Sequence, residues 1–301
     1  MSSLIPYSVG FDTSILAGNV APSSLKMYER DFKTYLNFAV TPELAIEAST
    51  LAQWRTHLVT TTSLSPNTIN RMLSAVKTLM LEAEEQKYVP KGTGEDFKHI
   101  RGVKVGALKE RRKPHARTRI EPESMRMLTS LPDPLTLTGI RDYAILHMLA
   151  SSGLRVRELA TLTIKRLHKT DKGYQVEVMG KNDTEWRKAP LSKEAYDAIQ
   201  EWLRRRTIQS DYIFTGFGGK GNRPKVEPMT EISIWRIVKF YADQCGLEYI
   251  RPHDFRRFVG TQLAKKSPRD AQKALGHKNI STTMDNYVLD ELEVGITDNL
   301  Y

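Results

Sequence analysis

One cysteine, Cys245, stands alone in 301 residues, so an internal disulfide framework is excluded. That usage fits a reducing cytosol, and Cys245 reads as a small core residue rather than a reactive thiol. No apolar run reaches the ~18 residues that a bilayer span needs. The opening MSSLIPYSVGFDTS places no basic segment ahead of an apolar one, so no secretory leader is expected. No spacing of His, Cys, Asp or Glu gives a convincing metal-ligand set, so no metal is expected; His253 with Asp254 is the nearest approach to a metallohydrolase. Acid is in the minority: 35 Asp and Glu face 45 Lys and Arg, for a net charge of +10 and a pI near 9.5. An excess of that size favours a polyanionic partner, of which nucleic acid is the commonest. The chain shows neither internal repeats nor long low-complexity tracts.

What is present suits two domains. Residues 1–20 read as an irregular, flexible N-terminus. From Pro22 an apolar stripe of Leu25, Tyr28, Phe32, Tyr35, Leu36 and Phe38 runs at helical spacing behind a Ser23 or Ser24 cap. Thr50 to Thr61 predicts a second helix and Ser65-Pro66 opens a third. On that third helix Arg71 and Lys77 lie off the apolar face, either as solvated charge or within reach of phosphates. A short helix is predicted around Asp96 to Arg101. Residues 21–105 thus form a small helical domain. Residues 106–120 follow as a basic linker, LKERRKPHARTR, with Lys109, Arg111, Arg112, Lys113, Arg117 and Arg119 around Pro114. It reads as a tether, and beside a polyanion as a strap along the phosphate backbone.

Beyond Glu121 the pattern is mainly helical with one small antiparallel sheet. Helices are predicted at Pro122 to Leu131 and Ile140 to Ser151, then, after a Ser152-Gly153 break, around Leu159. Tyr174 to Val178 alternates as a strand, with Trp186 to Ala189 returning beside it. Further helices are expected at Ser192 to Arg206, Glu231 to Cys245, Asp254 to Ala264 and Pro268 to Leu275. Between two of them GFGGKGNRPK resembles a phosphate-binding glycine loop but lacks its spacing, and it reads as a surface loop.

Six residues in this second half carry the chemistry: Arg155 in SGLRVREL, Lys181 in VMGKND, His253 and Arg256 in PHDFRRF, His277 in ALGHKNISTT and Tyr287 in MDNYVLD. Arginine forks match non-bridging phosphate oxygens bidentately. A tyrosine oxygen becomes a covalent nucleophile once a neighbouring base takes its proton. The set therefore suits gripping a phosphodiester and attacking it.

In order and local context these strings resemble the tyrosine recombinase, or phage integrase, family, from about Ala21 to the C-terminus. The resemblance rests on Gly153-Leu154-Arg155 with Glu158, on Gly180-Lys181, on His253 to Arg256, and on Leu275-Gly276-His277 before Tyr287. It implies an N-terminal core-binding bundle over 21–105 and an α+β catalytic domain over 121–288, clamped around double-stranded DNA. It assigns transition-state charge stabilisation to Arg155 and Arg256 with help from His277, the base to His253, the acid to Lys181 and the nucleophile to Tyr287. Glu158 is expected to orient basic neighbours. No cofactor is implied. Four protomers on two recombination sites are implied, in the cytoplasm at the nucleoid, with the need for an accessory protein left open and no membrane involved. The acidic tail over 289–301, with Leu289, Leu292, Val294 and Ile296 between its charges, is expected to dock on a neighbouring protomer.

Three departures from the family pattern stand out. His277 and Tyr287 are ten residues apart, one more than is common. The Lys181 hairpin is also one residue longer than usual and has Thr184 where a second Lys is common, which makes Lys188 the substitute acid to test. Arg257 occupies a position where His is common, and it adds a further phosphate contact in this reading. The nearest rival function is a type IB topoisomerase, which shares the cleavage chemistry but rejoins the same strand. A protelomerase and an inactive integrase-like DNA-binding protein complete the alternatives.

Overall fold

A computed structural model describes residues 9–111, 120–179, 186–218 and 223–276. The chain divides into two compact units, 1–116 and 117–301. Both are mainly helical.

The first unit holds α1 (Pro22–Ala39), α2 (Pro42–Ala45), α3 (Ala48–Thr61), α4 (Pro66–Glu85) and α5 (Thr93–His99). Three of these begin with proline, whose fixed φ suits the first helical position and whose missing N–H is not needed there. Ser65 caps α4 by accepting the Thr68 amide at 3.3 Å. The stripes meet around Tyr35, Trp54, Leu73 and Phe97, all essentially inaccessible. The Tyr35 hydroxyl donates to the Ala45 carbonyl at 3.0 Å, which makes its burial tolerable.

Two segments differ from expectation. The end of the predicted flexible N-terminus is packed: a single 3-10 turn, Thr13–Leu16, seats Leu16 in the core, and Phe11 stacks near Phe32 with centroids 5.9 Å apart. The start of the predicted linker is likewise ordered on the bundle. Val105–Arg111 forms 3-10 turns, Leu108 joins the core, and Arg111 donates to the Val59 carbonyl at 2.7 Å. Apolar residues at 11, 16 and 108 are too sparse for periodicity to reveal; their burial is decided by the bundle they meet.

The second unit begins with α6 (Pro122–Ser130), α7 (Leu137–Ser152) and α8 (Val156–Ala160). Then come β1 (Leu167–Thr170), β2 (Gly173–Met179), β3 (Trp186–Leu191) and α9 (Lys193–Arg205). The strands form one antiparallel sheet in the order β1-β2-β3, with Val176 opposite Ala189 and Val178 opposite Arg187. The sheet thus has a third strand, β1, that the polar sequence LHKT does not announce. Strands β4 (Thr215–Gly218) and β5 (Arg223–Pro228) pair antiparallel, which corrects the surface-loop reading of GFGGKGNRPK at its two ends, residues 219–222 lying outside the described residues; Phe217 lies under the Arg141 guanidinium and holds β4 to the core. The described part of the unit ends with α10 (Glu231–Gln244), α11 (Pro252–Lys266) and α12 (Pro268–Leu275). Helix α7 is buried on most sides, with Ile145, Leu146, Met148 and Leu149 wholly inside, and packs against α6, α9 and α11. It is the post against which the candidate site is built. Among the described residues no helix is long and apolar enough to cross a membrane.

Candidate active site

The site is assembled from helix ends. Helix α7 stops because Gly153 adopts φ +62°, a left-handed conformation that favours glycine, and its amide returns to the Leu149 carbonyl at 3.3 Å. Two residues later Arg155 caps α8. The Glu158 carboxylate, one turn in, accepts the Arg155 backbone N–H at 2.8 Å and its Nη1 at 2.7 Å. The same carboxylate accepts Nη2 of Arg187, on β3, at 2.7 Å. Glu158 is only 6% exposed. A carboxylate so enclosed is tenable because cations and an amide saturate it.

Helix α11 supplies the second part. Pro252 opens it and the Asp254 carboxylate accepts the Arg251 amide at 2.9 Å. Arg256, 1% exposed, donates Nη1 to the Gly153 carbonyl at 2.8 Å and Nη2 to the Leu275 carbonyl at 2.5 Å. One guanidinium thereby joins the chain two residues before Arg155 to the chain two residues before His277. Arg187 reinforces the junction, donating Nη1 to the Ala274 carbonyl at 2.7 Å. The last carbonyls of a helix lack intrahelical partners and carry partial negative charge, so the end of α12 is a natural place for two arginines.

Positive charge therefore concentrates around the start of α11. The His253 imidazole is held below its ordinary value, first by desolvation at the crowded helix start and then by the Arg257 and Arg256 charges; Asp254 opposes them and Arg155 adds to them. His253 as a residue remains exposed to solvent. At neutral pH it is uncharged and ready to accept a proton. Arg257 lies 3.7 Å from the Asp254 carboxylate within its own helix.

Of the residues predicted from sequence, the structure brings together Arg155, Glu158, His253, Arg256 and Arg257. Lys181, His277, Tyr287, Arg112, Lys113 and Arg117 lie outside the described residues, as does the tail over 289–301. In the first unit, Arg71 pairs with the buried Asp31, Lys77 donates to the Ile100 carbonyl, and Arg111 holds Val59 as described. These three cations are engaged within the bundle. Burial, and Arg55 nearby, push the Lys77 ammonium pKa down. Lys188 sits on the outer face of β3, opposite Glu177, whereas its neighbour Arg187 faces inward with Ala189 and Leu191. Lys188 is therefore on the side of the sheet away from Glu158. Arg187 was missed by sequence reasoning. The available signal was its phase: in WRKAPL it shares the strand face of two core residues, a position where an arginine needs a buried partner. Among the described residues no group of three or more His, Cys, Asp or Glu side chains is placed to hold a metal ion.

Residues 118–292 match the model of the phage integrase family, more than half of the chain. The chain belongs to the phage integrase family.

Curated relatives of this integrase are tyrosine recombinases. It is 34% identical over 171 residues to tyrosine recombinase XerD of Listeria innocua serovar 6a, an alignment spanning just over half of either protein, 54%. It is 28% identical over 288 residues to tyrosine recombinase XerD of Listeria monocytogenes serovar 1/2a, covering 89% of each. Its fold is shared with XerH site-specific recombinase, solved bound to palindromic difH substrate as a post-cleavage complex: the TM-score is 0.70 at 18% identity, over 91% of the integrase and 79% of that chain. The topoisomerase reading is not favoured by these likenesses.

Proposed function

We propose that this recombinase breaks and rejoins double-stranded DNA at specific sites through a 3′-phosphotyrosine at Tyr287. His253 takes the phenolic proton. The phenolate oxygen forms a bond to phosphorus, the bond from phosphorus to the 5′ oxygen breaks, and Lys181 protonates the departing oxygen. Arg155 and Arg256, with a hydrogen bond from His277, stabilise the charge that gathers on the phosphoryl oxygens. The phosphotyrosyl ester keeps the energy of the original linkage, so a 5′-hydroxyl from another strand reverses the step. Neither ATP nor a resident cofactor is called for.

The observation that supports this reading best is the bridge made by Arg256. Its two hydrogen bonds bring the Gly153 and Leu275 strings together, and those strings lead directly to Arg155 and His277. The lowered His253 pKa suits a base acting at neutral pH. In the same reading the first unit grips the core of the site, the basic 106–120 segment lies along the backbone, and four protomers exchange strands between two sites. The acidic tail over 289–301 docks on a neighbouring protomer, an accessory protein is an optional partner, and the enzyme works in the cytoplasm at the nucleoid.

Sequencing the DNA ends trapped on the protein identifies the site. A nicked suicide duplex carrying that site is then expected to yield a covalent adduct. The adduct disappears in Tyr287→Phe while DNA binding survives. An adduct that persists in that variant overturns the assignment, and plasmid relaxation without any recombinant product overturns strand exchange.

A further inference from the structure

We propose that Arg187 is a positioning residue for DNA cleavage, clamping the Arg155 loop and the end of α12 to one strand so that Arg155 and His277 act together. The inference rests on the catalytic reading above.

Three observations carry it. First, the Arg187 fork divides its hydrogen bonds between the two halves of the site. Nη2 reaches Glu158, which in turn holds both the backbone and the guanidinium of Arg155; Nη1 reaches Ala274, three residues before His277. Second, the chain makes room for it. Gly276 has φ +66°, and a Cβ there would sit 2.3 Å from Arg187 Cδ and 2.6 Å from its Nε. Glycine immediately before His277 thus serves two ends: it permits the left-handed turn and lets the guanidinium lie against the backbone. Third, Arg187 is an arginine on an inward strand face, mostly buried, with its Nε enclosed and unpartnered among the described residues. Replacing a whole buried ion pair by apolar side chains often costs no stability, so stability alone does not account for an arginine here, whereas a planar fork with two fixed acceptors sets geometry.

Lysine offers one point charge where arginine offers a fork, so Arg187→Lys keeps Glu158 company but cannot also hold Ala274. Arg187→Met fills the space and holds neither. Displacing a reacting group by about 1 Å costs about 10²-fold in rate. Single-turnover adduct formation by the full-length protein on the nicked duplex is therefore expected to fall about 10²-fold in Arg187→Met. In Arg187→Lys it falls about ten-fold, the worth of one charge-assisted hydrogen bond. DNA affinity changes by about two-fold or less, the scatter of independent sites.

The deciding measurement is coupling. In Arg155→Lys and His277→Ala backgrounds, Arg187→Met is expected to cost far less than it does alone, because the groups it positions are already lost. A merely structural contact would impose its full factor in every background. The full loss recurring in both backgrounds, or an unchanged rate in Arg187→Met, overturns the proposal. If Arg187→Met does not fold, Arg187→Lys decides by the same criteria. Failure of the unsubstituted protein to form an adduct, or an adduct in Tyr287→Phe, defeats the catalytic reading and the inference with it. Normal behaviour of those two controls with an insensitive Arg187 defeats the inference alone.

Discussion

Substituting alanine for Gly153 tests whether the close packing at the end of α7 is what holds the site together. The residue has φ +62°, and an added Cβ would meet Leu275 Cδ2 at 2.9 Å and the Val259 side chain at 3.2 and 3.3 Å. Two costs add. Holding an L-residue in the left-handed region costs about 1–2 kcal/mol. Forcing an extra methyl into a packed core costs about 1–3 kcal/mol. Against them stands a gain of about 0.4–1 kcal/mol, because alanine has fewer unfolded conformations to lose. A net loss of about 3 kcal/mol follows, and in a unit of this size that lowers the melting temperature by about 6–12 °C. Gly246 is the control: its φ is +70°, but nothing lies within 4 Å of its hypothetical Cβ. Gly246→Ala carries the backbone cost alone, about 1 kcal/mol or about 2–4 °C. Scanning calorimetry on both full-length variants gives the comparison. Adduct formation well below the melting point is expected to fall in Gly153→Ala only, because the Gly153 carbonyl is where Arg256 attaches. Equal melting points in the two variants would mean that Leu275 and Val259 yield without cost, and the packing argument would be wrong.

Three further outcomes are expected. Arg71→Met removes the hydrogen-bonded partner of the Asp31 carboxylate, which is 1% exposed and keeps only the more distant Arg30 at 3.9 Å, and destabilises the first unit by about 3 kcal/mol in urea unfolding; unchanged stability with weakened DNA binding would instead make Arg71 a phosphate contact. Tyr241→Phe removes the hydroxyl that donates to Asp142 at 3.3 Å and costs about 1 kcal/mol by calorimetry; a neutral result would mean Asp142 is satisfied by Arg141 alone. The third concerns pH. His253 is held below the ~6.5 of a free imidazole, so as pH falls the unfolded chain takes the proton first. Its contribution to stability is complete above ~6.5 and is lost as pH drops toward the folded value. The acid limb of the cleavage rate at low DNA concentration lies below ~6.5 for the same reason, and Arg257→Gln, by removing a positive neighbour, shifts that limb upward. A limb that stays put or moves down in that variant would show that Arg257 does not act on His253.

The helices were legible because their starts are written locally. Ser65-Pro66, Pro122, Ser192 and Thr230 mark first turns, and the apolar stripes behind them give the period. Strand β1 was not legible: LHKT is a polar edge whose pairing is fixed by β2, not by its own pattern. The β4–β5 pairing was hidden by glycines that suggested a loop, whereas Phe217 and its contacts with Arg141 and Trp202 decide the matter. At the candidate site the motif residues Arg155, His253 and Arg256 were conspicuous because each sits in a short recognisable string. The acceptors of Arg256 could not be read, since a carbonyl has no signature and Gly153 lies 103 residues from it. Arg187 was obscure for the same reason: its Ala274 partner is 87 residues away. Lys77 and Arg71 read as solvated charge or as phosphate contacts because sequence shows the face of a helix but not what packs beside it.

The turn that seats Leu16 has a practical corollary for anyone reshaping this protein. A truncation beginning at Ala21 looks harmless on paper, since it discards only what resembles a ragged leader. It would uncover the floor beneath Phe11 and Leu16 and sever the hydrogen bonds from Asn19 to Glu82 and from Gln86 to the Ile15 carbonyl. Affinity tags belong upstream of Val9, where they leave that lid in place.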